Sequence, residues 1–301
     1  RVSGFGWGLG YVGGIVLLLI LYFGFIEPDV GWFGVTSREG LNIRVSMLIA
    51  SGWMLLSSLP LIVGGRNSAP KESDVRGIVA AYRELFRSIG RLWRSDRSVV
   101  WFLISSAIFR DGLAGVFTFG GVLAGAAFGF APDQVLIFGI AANLVAGVAT
   151  ILFGWLDDRW GARRVIILSL TLMTFAGMVV FFLHDGLNAG PIQLSRTGVF
   201  WIFGLMLCIF VGPTQSASRT YLARIAPRGS EGEVFGLYAT TGRAVSFLSP
   251  FMYSTAIVMA ANAMDISKAD AAHFGILGIV LVVLLGLVAF LPVKTQASAH
   301  S

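Results

Sequence analysis

The sequence predicts an all-α protein embedded in a lipid bilayer, and three observations predict it. Apolar residues make up 56% of the chain, charged residues only 13%, and the mean hydropathy is +0.80, whereas a soluble domain carries roughly 45 to 50% apolar and about 25% charged residues. A single water-exposed globule cannot hide that much apolar surface. Apolar runs of about twenty residues recur, each long enough to cross a ~30 Å hydrocarbon layer as a helix, and in lipid a helix satisfies its own main-chain polar groups. Finally, Lys and Arg collect in the connections on one side of those runs, the bias that sets orientation in helical membrane proteins.

Eight spans follow, near residues 7–26, 45–64, 98–119, 134–154, 165–183, 198–218, 234–261 and 272–292. Gly and Pro inside them do not argue against a span, because neighbouring helices satisfy freed backbone groups and close packing in lipid favours small residues. Of the 22 Lys and Arg residues, sixteen fall on one side, four on the other (Arg38, Arg44, Arg196, Lys268), and Arg110 and Arg243 lie inside spans. The rich side, holding Arg66, Lys71, Arg76, Arg228 and Lys294 among others, is cytoplasmic by the positive-inside rule. Both ends of the chain then face the cytoplasm.

The net charge of +6 does not point to nucleic acid, since the basic residues sit in short loops between apolar runs and form no continuous face. Cys208 is the only cysteine and lies within an apolar run, so the chain builds neither a disulfide framework nor a thiolate metal cluster. His184, His273 and His300 fall at helix ends or in the tail without metal-ligand spacing. No H-E-x-x-H, Walker A or G-x-S-x-G motif occurs, and no soluble cofactor is implied. The chain opens at Arg1 with an apolar run too long for a cleaved signal peptide, and the expectation is an N-terminally truncated protein.

The longest cytoplasmic connection, residues 65–97, carries an apolar stripe at Val75, Ile78, Val79, Tyr82, Phe86, Ile89 and Trp93, with Arg83, Arg87, Arg91 and Arg94 around it. The 3-4 spacing describes an amphipathic helix on the inner leaflet. It serves either as a linker that orients two bundles or as a docking or regulatory site.

Between the fourth and fifth spans the chain reads Gly154-Trp155-Leu156-Asp157-Asp158-Arg159-Trp160-Gly161-Ala162-Arg163-Arg164. Gly154 permits close helix approach and Gly161 a tight turn. Asp158 is placed to accept hydrogen bonds at the start of the next helix, where the dipole favours an anion, and Arg159, Arg163 and Arg164 reach carboxylates or lipid phosphates. Positive-inside bias alone would give a basic turn, but the G-x-L-x-D-R-x-G-x-R-R spacing is more specific. It resembles the cytoplasmic loop motif of the major facilitator superfamily, with Ala162 where that family usually carries a basic residue.

That resemblance implies a major facilitator fold of twelve helices, in which the motif lies between helices 2 and 3 and, in weaker form, between helices 8 and 9. The long basic connection two helices earlier then corresponds to the central loop, and the eight spans are equivalent to helices 5 to 12. On this reading residues 1–64 are the last two helices of an N-terminal bundle, 65–97 the central linker, and 98–301 the C-terminal six-helix bundle and tail. A narrower resemblance rests on Ser3-Gly4-Phe5-Gly6-Trp7-Gly8-Leu9-Gly10-Tyr11-Val12-Gly13-Gly14, on Arg110-Asp111-Gly112, and on Ser218-Arg219-Thr220-Tyr221-Leu222-Ala223-Arg224-Ile225-Ala226-Pro227 leading to Glu233-Val234-Phe235-Gly236-Leu237-Tyr238. Together these look like the vacuole effluxer branch, whose fungal members export amino acids from the vacuole during autophagy. Nearly the whole chain is covered.

Gly6, Gly10 and Gly14 recur every fourth residue and share one helix face. They predict a packing seam, and a smooth seam also lets helices slide.

Arg110, Asp111 and Arg243 lie roughly 15 to 18 Å deep at ~1.5 Å per residue, near the membrane midplane. A charge there costs at least about 2.5 to 3.5 kcal/mol and demands a partner or a wet cavity. Adjacent residues point about 100° apart on a helix, so Arg110 and Asp111 do not face one another. One expectation pairs Asp111 with Arg243 and leaves Arg110 for an anionic substrate group; the other is a buried ion network that only fixes helix register. Asn143, and Gln215, Ser216 and Ser218 beyond the helix-interrupting Pro213, are further polar candidates for a substrate or ion pathway.

The resulting expectation is a secondary transporter using alternating access for a small-molecule substrate, amino acids first, driven by an ion gradient with the proton as candidate coupling ion. Its partners are the substrate and the lipid bilayer, and not nucleic acid. Its location is the plasma (inner) membrane if bacterial and the vacuolar membrane if fungal. The rival readings are a membrane-embedded enzyme acting on a lipid or quinone, and a non-transporting sensor or scaffold.

Overall fold

A computed structural model of the protein describes residues 2–64, 78–189, 191–227 and 229–293. Arg1, Arg66, Lys71, Val75, Arg76, Arg228, Lys294 and His300 lie outside the described residues, as do the side chains of Ile78, Val79, Tyr82 and Phe86. Among the described residues eight helical stretches are long and apolar enough to cross a membrane: Gly4–Ile26, Arg38–Pro60, Arg97–Phe128, Asp133–Trp160, Ala162–Phe182, Arg196–Ile225, Glu231–Met264 and Asp270–Phe290. Each of the eight predicted spans is found, and the protein is an all-α membrane protein.

The helices are α1 (Val2–Leu21), α2 (Leu41–Gly64), α3 (Ile78–Ser95), α4 (Arg97–Phe128), α5 (Pro132–Trp160) and α6 (Ala162–Phe182). They continue with α7 (Arg196–Val199), α8 (Leu205–Ile209), α9 (Val211–Ile225), α10 (Glu231–Ala244), α11 (Leu248–Met264) and α12 (Gly275–Phe290). A short antiparallel pair, β1 (Leu187–Ala189) with β2 (Ile192–Leu194), joins α6 to α7. The apolar pattern did not predict it, because three-residue strands are too short to show a period of two.

The chain forms two compact units, Gly10–Glu84 and Arg1–Leu9 with Leu85–Ser301. In the first, the connection leaving α1 folds back on itself. Gly31 N–H donates to Val35 O at 2.7 Å, and Phe25, 2% exposed, meets the Trp32 ring edge-on at 5.9 Å.

In the second unit α4 is central, packed by α12, α10, α11 and α5. Asp96 starts it: its carboxylate accepts from Ser98 N–H at 3.0 Å and Val99 N–H at 3.4 Å, satisfying donors that have no intrahelical partner. The α4–α12 crossing is set by glycine. A methyl group on Gly286 would lie 2.7 Å from the Phe109 main-chain nitrogen, and one on Gly112 3.2 Å from that of Val283. Phe102, Phe109, Tyr221 and Phe290 fill the space beside it with edge-on and tilted ring contacts.

Two spans are broken, and each break precedes a proline by a few residues. The sixth breaks at Phe210, between α8 and α9, because Pro213 has no N–H for the Ile209 carbonyl. The seventh breaks at residues 245–247, between α10 and α11, where Pro250 likewise leaves the Ser246 carbonyl without a helical donor.

Among the described residues a methyl on Gly6 or Gly10 would meet no heavy atom within 4 Å, whereas one on Gly4 would lie 3.0 Å from Thr150 O and one on Gly8 2.8 Å from Ile151 Cγ1, both on α5. Gly4 and Gly8 are also four residues apart, and a shift of two residues turns a helix by about 200°. Two glycine series therefore occupy opposite faces, and spacing alone does not choose between them.

Candidate functional site

The site is organised by the Arg110-Asp111 dipeptide of α4 and by the break in the seventh span. Asp111 is 6% exposed. Its Oδ2 accepts from Ser249 N–H at 2.5 Å, and Ser249 Oγ donates to the Asp111 carbonyl at 3.0 Å. Ser249 stands in the first turn of α11, where main-chain N–H groups have no acceptor within the helix and the dipole presents its positive end. Asp111 thus caps a half-helix inside the protein.

The expected Asp111–Arg243 pair is not formed. Arg243 is exposed in the last turn of α10, and among the described residues its main-chain carbonyl is engaged locally by Ser246. The carboxylate found a better partner in the N–H groups that the break set free, and a cation near the C-terminal end of α10 suits that helix's own dipole.

Arg110, half-buried, turns the other way, onto α10. Its Nη1 donates to Tyr238 O at 2.8 Å, its Cζ lies 3.8 Å from the centre of the Tyr238 ring, and a methyl on Gly242 would meet Nη1 at 2.9 Å. Gly242 is therefore the gap that admits the guanidinium. Adjacent residues of α4, splayed by the helical step, hold the two halves of the broken span: the cation on the segment that ends at the break, the anion on the segment that begins there.

Tyr238 extends the network to α9. Its hydroxyl lies 2.5 Å from Ser218 Oγ, which donates its own proton to Gln215 O at 2.9 Å. Tyr238 is therefore the donor to Ser218. Phe102 stacks parallel to the Tyr238 ring at 6.3 Å. Gln215 enters through its main chain and Ser216 is buried beside it, while Asn143 donates to Gly139 O at 2.8 Å on its own helix α5.

In the loop motif Asp158 is exposed, and Gly161 precedes the first residue of α6. The buried acid is Asp157, with its Oδ1 3.6 Å from Arg224 Nη1 of α9. Gly161, at φ 85°, makes the turn and its carbonyl accepts from Arg164 N–H. Gly154 lies against α1, its Cα 3.3 Å from a methyl built on Gly4. Arg159 lies over the Trp155 ring at 3.7 Å, and Arg163 donates to Leu291 O at 2.8 Å and Val293 O at 3.0 Å, closing the end of α12.

Three participants escaped the sequence reading: Tyr238, Ser249 and Asp157. Ser249-Pro250 inside an apolar run is a helix-start signal, and would have located the break and Asp111's partner. His184 and His273 also meet, stacked at 4.0 Å, but among the described residues no group of three or more His, Cys, Asp or Glu could hold a metal ion.

Residues 1–300 match the profile of the family described as vacuole effluxer Atg22 like. The chain is 23% identical over 297 residues to the uncharacterized MFS-type transporter YxiO of Bacillus subtilis, covering 98% of this chain and 64% of that protein. It is 24% identical over 275 residues to autophagy-related protein 22-1 of Neosartorya fischeri, covering 83% and 42%. A similar relation holds to autophagy-related protein 22 of Coccidioides immitis, 25% identical over 273 residues. The chain spans less than two thirds of the length of each of these relatives. It belongs to the vacuole effluxer Atg22-like family of membrane proteins.

Proposed function

We propose that this chain is the C-terminal part of a secondary transporter that moves a small carboxylate-bearing solute, amino acids first, by alternating access. Residues 98–301 are its C-terminal bundle, residues 1–64 the last two helices of its N-terminal bundle, and an ion gradient, with the proton as coupling ion, its energy source. Arg110 is the receptor for the carboxylate.

The observation that carries this reading is the state of Arg110. It lies deep in a span, half-buried, and the contacts described for it are one main-chain carbonyl and one aromatic face. A guanidinium has five N–H donors in a fork that fits a carboxylate in two-point fashion. Neither Tyr238 contact neutralises its charge, so a bound anion would relieve the cost of a cation in this setting. Family membership supports transport, and the family's description as vacuole effluxers supports an efflux role by analogy.

The test uses the full-length protein in proteoliposomes, with labelled amino acids and matched amines lacking the carboxylate as solutes. The expected result is uptake of the amino acids alone, abolished by Arg110→Gln. Unchanged uptake by Arg110→Gln would remove Arg110 from the substrate site, and chemical conversion of the solute would replace transport by enzymatic action.

A further inference from the structure

We propose that His184 and His273 form an acid-sensitive latch between the end of α6 and the start of α12, closed while the pair carries one proton and parted when it takes up a second. This inference does not rest on the transport reading. His184 stands just beyond Phe182, the last residue of α6, and His273 lies in the short helix Asp270–Phe274 that leads into α12. α6 and α12 pack on one another, with Gly177 set against the Val280 side chain, and the two histidines join their ends. The rings are parallel to within 2° and 4.0 Å apart. His273 is 9% exposed, with Phe181 stacked on it at 5.8 Å and Phe274 beside it at 4.3 Å.

Hydrogen bonding decides what the pair can carry. His184 Nδ1 lies 3.2 Å from Phe181 O, and its Nε2 lies 3.1 Å from an Asp185 carboxylate oxygen. Both partners only accept, so a neutral ring, with its single N–H, serves one of them and a protonated ring serves both. His273 is set differently. Its Nδ1 lies 3.1 Å from Asp270 O and donates there, which leaves Nε2 as the place where a further proton binds. One proton thus suits the pair at His184. A second puts two like charges face to face, one of them on a ring with little access to water, so the pair takes its protons in two separate steps.

The surroundings do not compensate the second charge. Besides His184, the charges that bear on His273 are Asp185 and Arg196, one of each sign. The Asp270 carboxylate accepts from Ser267 Oγ at 2.7 Å, and Asp265 and Lys268 lie in the connection before it. The short helix packs against α4, α11 and α12. Neither α11 nor α12 contains Asp, Glu, Lys, Arg or His, and Tyr253 of α11 is stacked on Phe119. On α4, Arg110 and Asp111 adjoin Gly112, which stands level with Val283, well along α12, and Arg163 and Arg164 belong to the far end of α6. That far end carries the basic loop motif, so the latch stands on the non-cytoplasmic side by the positive-inside rule and responds to acidity there.

The test takes the full-length protein in nanodiscs and follows hydrogen exchange of residues 183–186 and 270–274, corrected for the intrinsic pH dependence of exchange, from about pH 7.5 to about pH 4.5, across the histidine range. An opened pair binds its second proton at the ordinary histidine value of about 6.5. The latch is therefore closed at neutral pH and loses stability as pH falls, with opening expected to rise toward about tenfold per pH unit, the slope for one proton taken up. His184→Phe and His273→Phe keep an aromatic ring that cannot charge, and each is expected to flatten the rise. Asp185→Asn is expected to retain it. If His273→Phe does not fold, as its thermal midpoint reports, the half-buried His184→Phe carries the test. A flat profile in wild type overturns the proposal. So does an undiminished rise in His184→Phe, or loss of the rise in Asp185→Asn, which would make a carboxylate the sensor.

Discussion

Asp111 and Ser249, 138 residues apart, are joined through a main-chain N–H that exists as a free donor only because the seventh span is broken. Removing the acid should therefore weaken the start of α11 more than the surroundings of α4. Asp111→Ala is expected to cost about 1.5 to 3 kcal/mol, the range for a hydrogen bond to a charged group, and Asp111→Asn less, because its amide oxygen still accepts. Thermal unfolding in detergent measures the cost, and faster hydrogen exchange confined to the first turn of α11 identifies its origin. In transport assays of the full-length protein, gradient-driven uptake and counterflow should fall together in Asp111→Asn. Loss of gradient dependence with counterflow intact would instead make Asp111 a proton carrier.

Tyr238 acts through three different atoms, and substitutions separate them. Tyr238→Phe removes only the donor to Ser218 and keeps both the ring and the carbonyl under Arg110; the expected cost is about 1 kcal/mol. Tyr238→Leu also removes the aromatic face, adding roughly 0.5 to 2 kcal/mol. Ser218→Ala should match Tyr238→Phe, and a double-mutant cycle over the pair should show that the two losses are one interaction.

Gly286→Ala puts a methyl group 2.5 Å from Phe109 Cβ and 2.7 Å from its main-chain nitrogen, atoms fixed to the α4 backbone that cannot swing aside. Overpacking of this kind costs about 1 to 3 kcal/mol or more, so a large fall in thermal midpoint is expected. Gly6→Ala meets nothing within 4 Å, and should be neutral or stabilising by up to about 1 kcal/mol through helix propensity. The pair compares one chemical change in two settings.

Arg163→Gln should loosen the end of α12. The guanidinium holds the Leu291 and Val293 carbonyls, acceptors at a helix end that a cation also suits electrostatically. The expected loss is about 1 kcal/mol at this exposed position, and the check is hydrogen exchange in the last turn of α12.

What could be read in advance followed the strength of the physical signal. Eight apolar runs announced eight spans, since lipid leaves no other arrangement for the backbone. The Arg110-Asp111 pair announced a site, since midplane charge is too costly to be incidental. Their partners were another matter. Arg110 and Asp111 are satisfied by the carbonyl of Tyr238 and the N–H of Ser249, and every residue carries such groups; a search among charged side chains led to Arg243 instead. Asp157 and Asp158 are neighbours of one type, and only the packing of α9 against α5 decides that the first is buried beside Arg224. The same holds for the two glycine series of α1.

The contact of Gly286 with the Phe109 backbone has a mechanical consequence. With the Gly286 main chain set directly against the backbone and Cβ of Phe109, α4 and α12 have little play and move as one beam. Compliance is left to the neighbours, at Phe210 and at residues 245–247, where spans are jointed ahead of Pro213 and Pro250. Stiffness and give are thus assigned to two residue types: glycine where main chains must touch, proline where a span must flex.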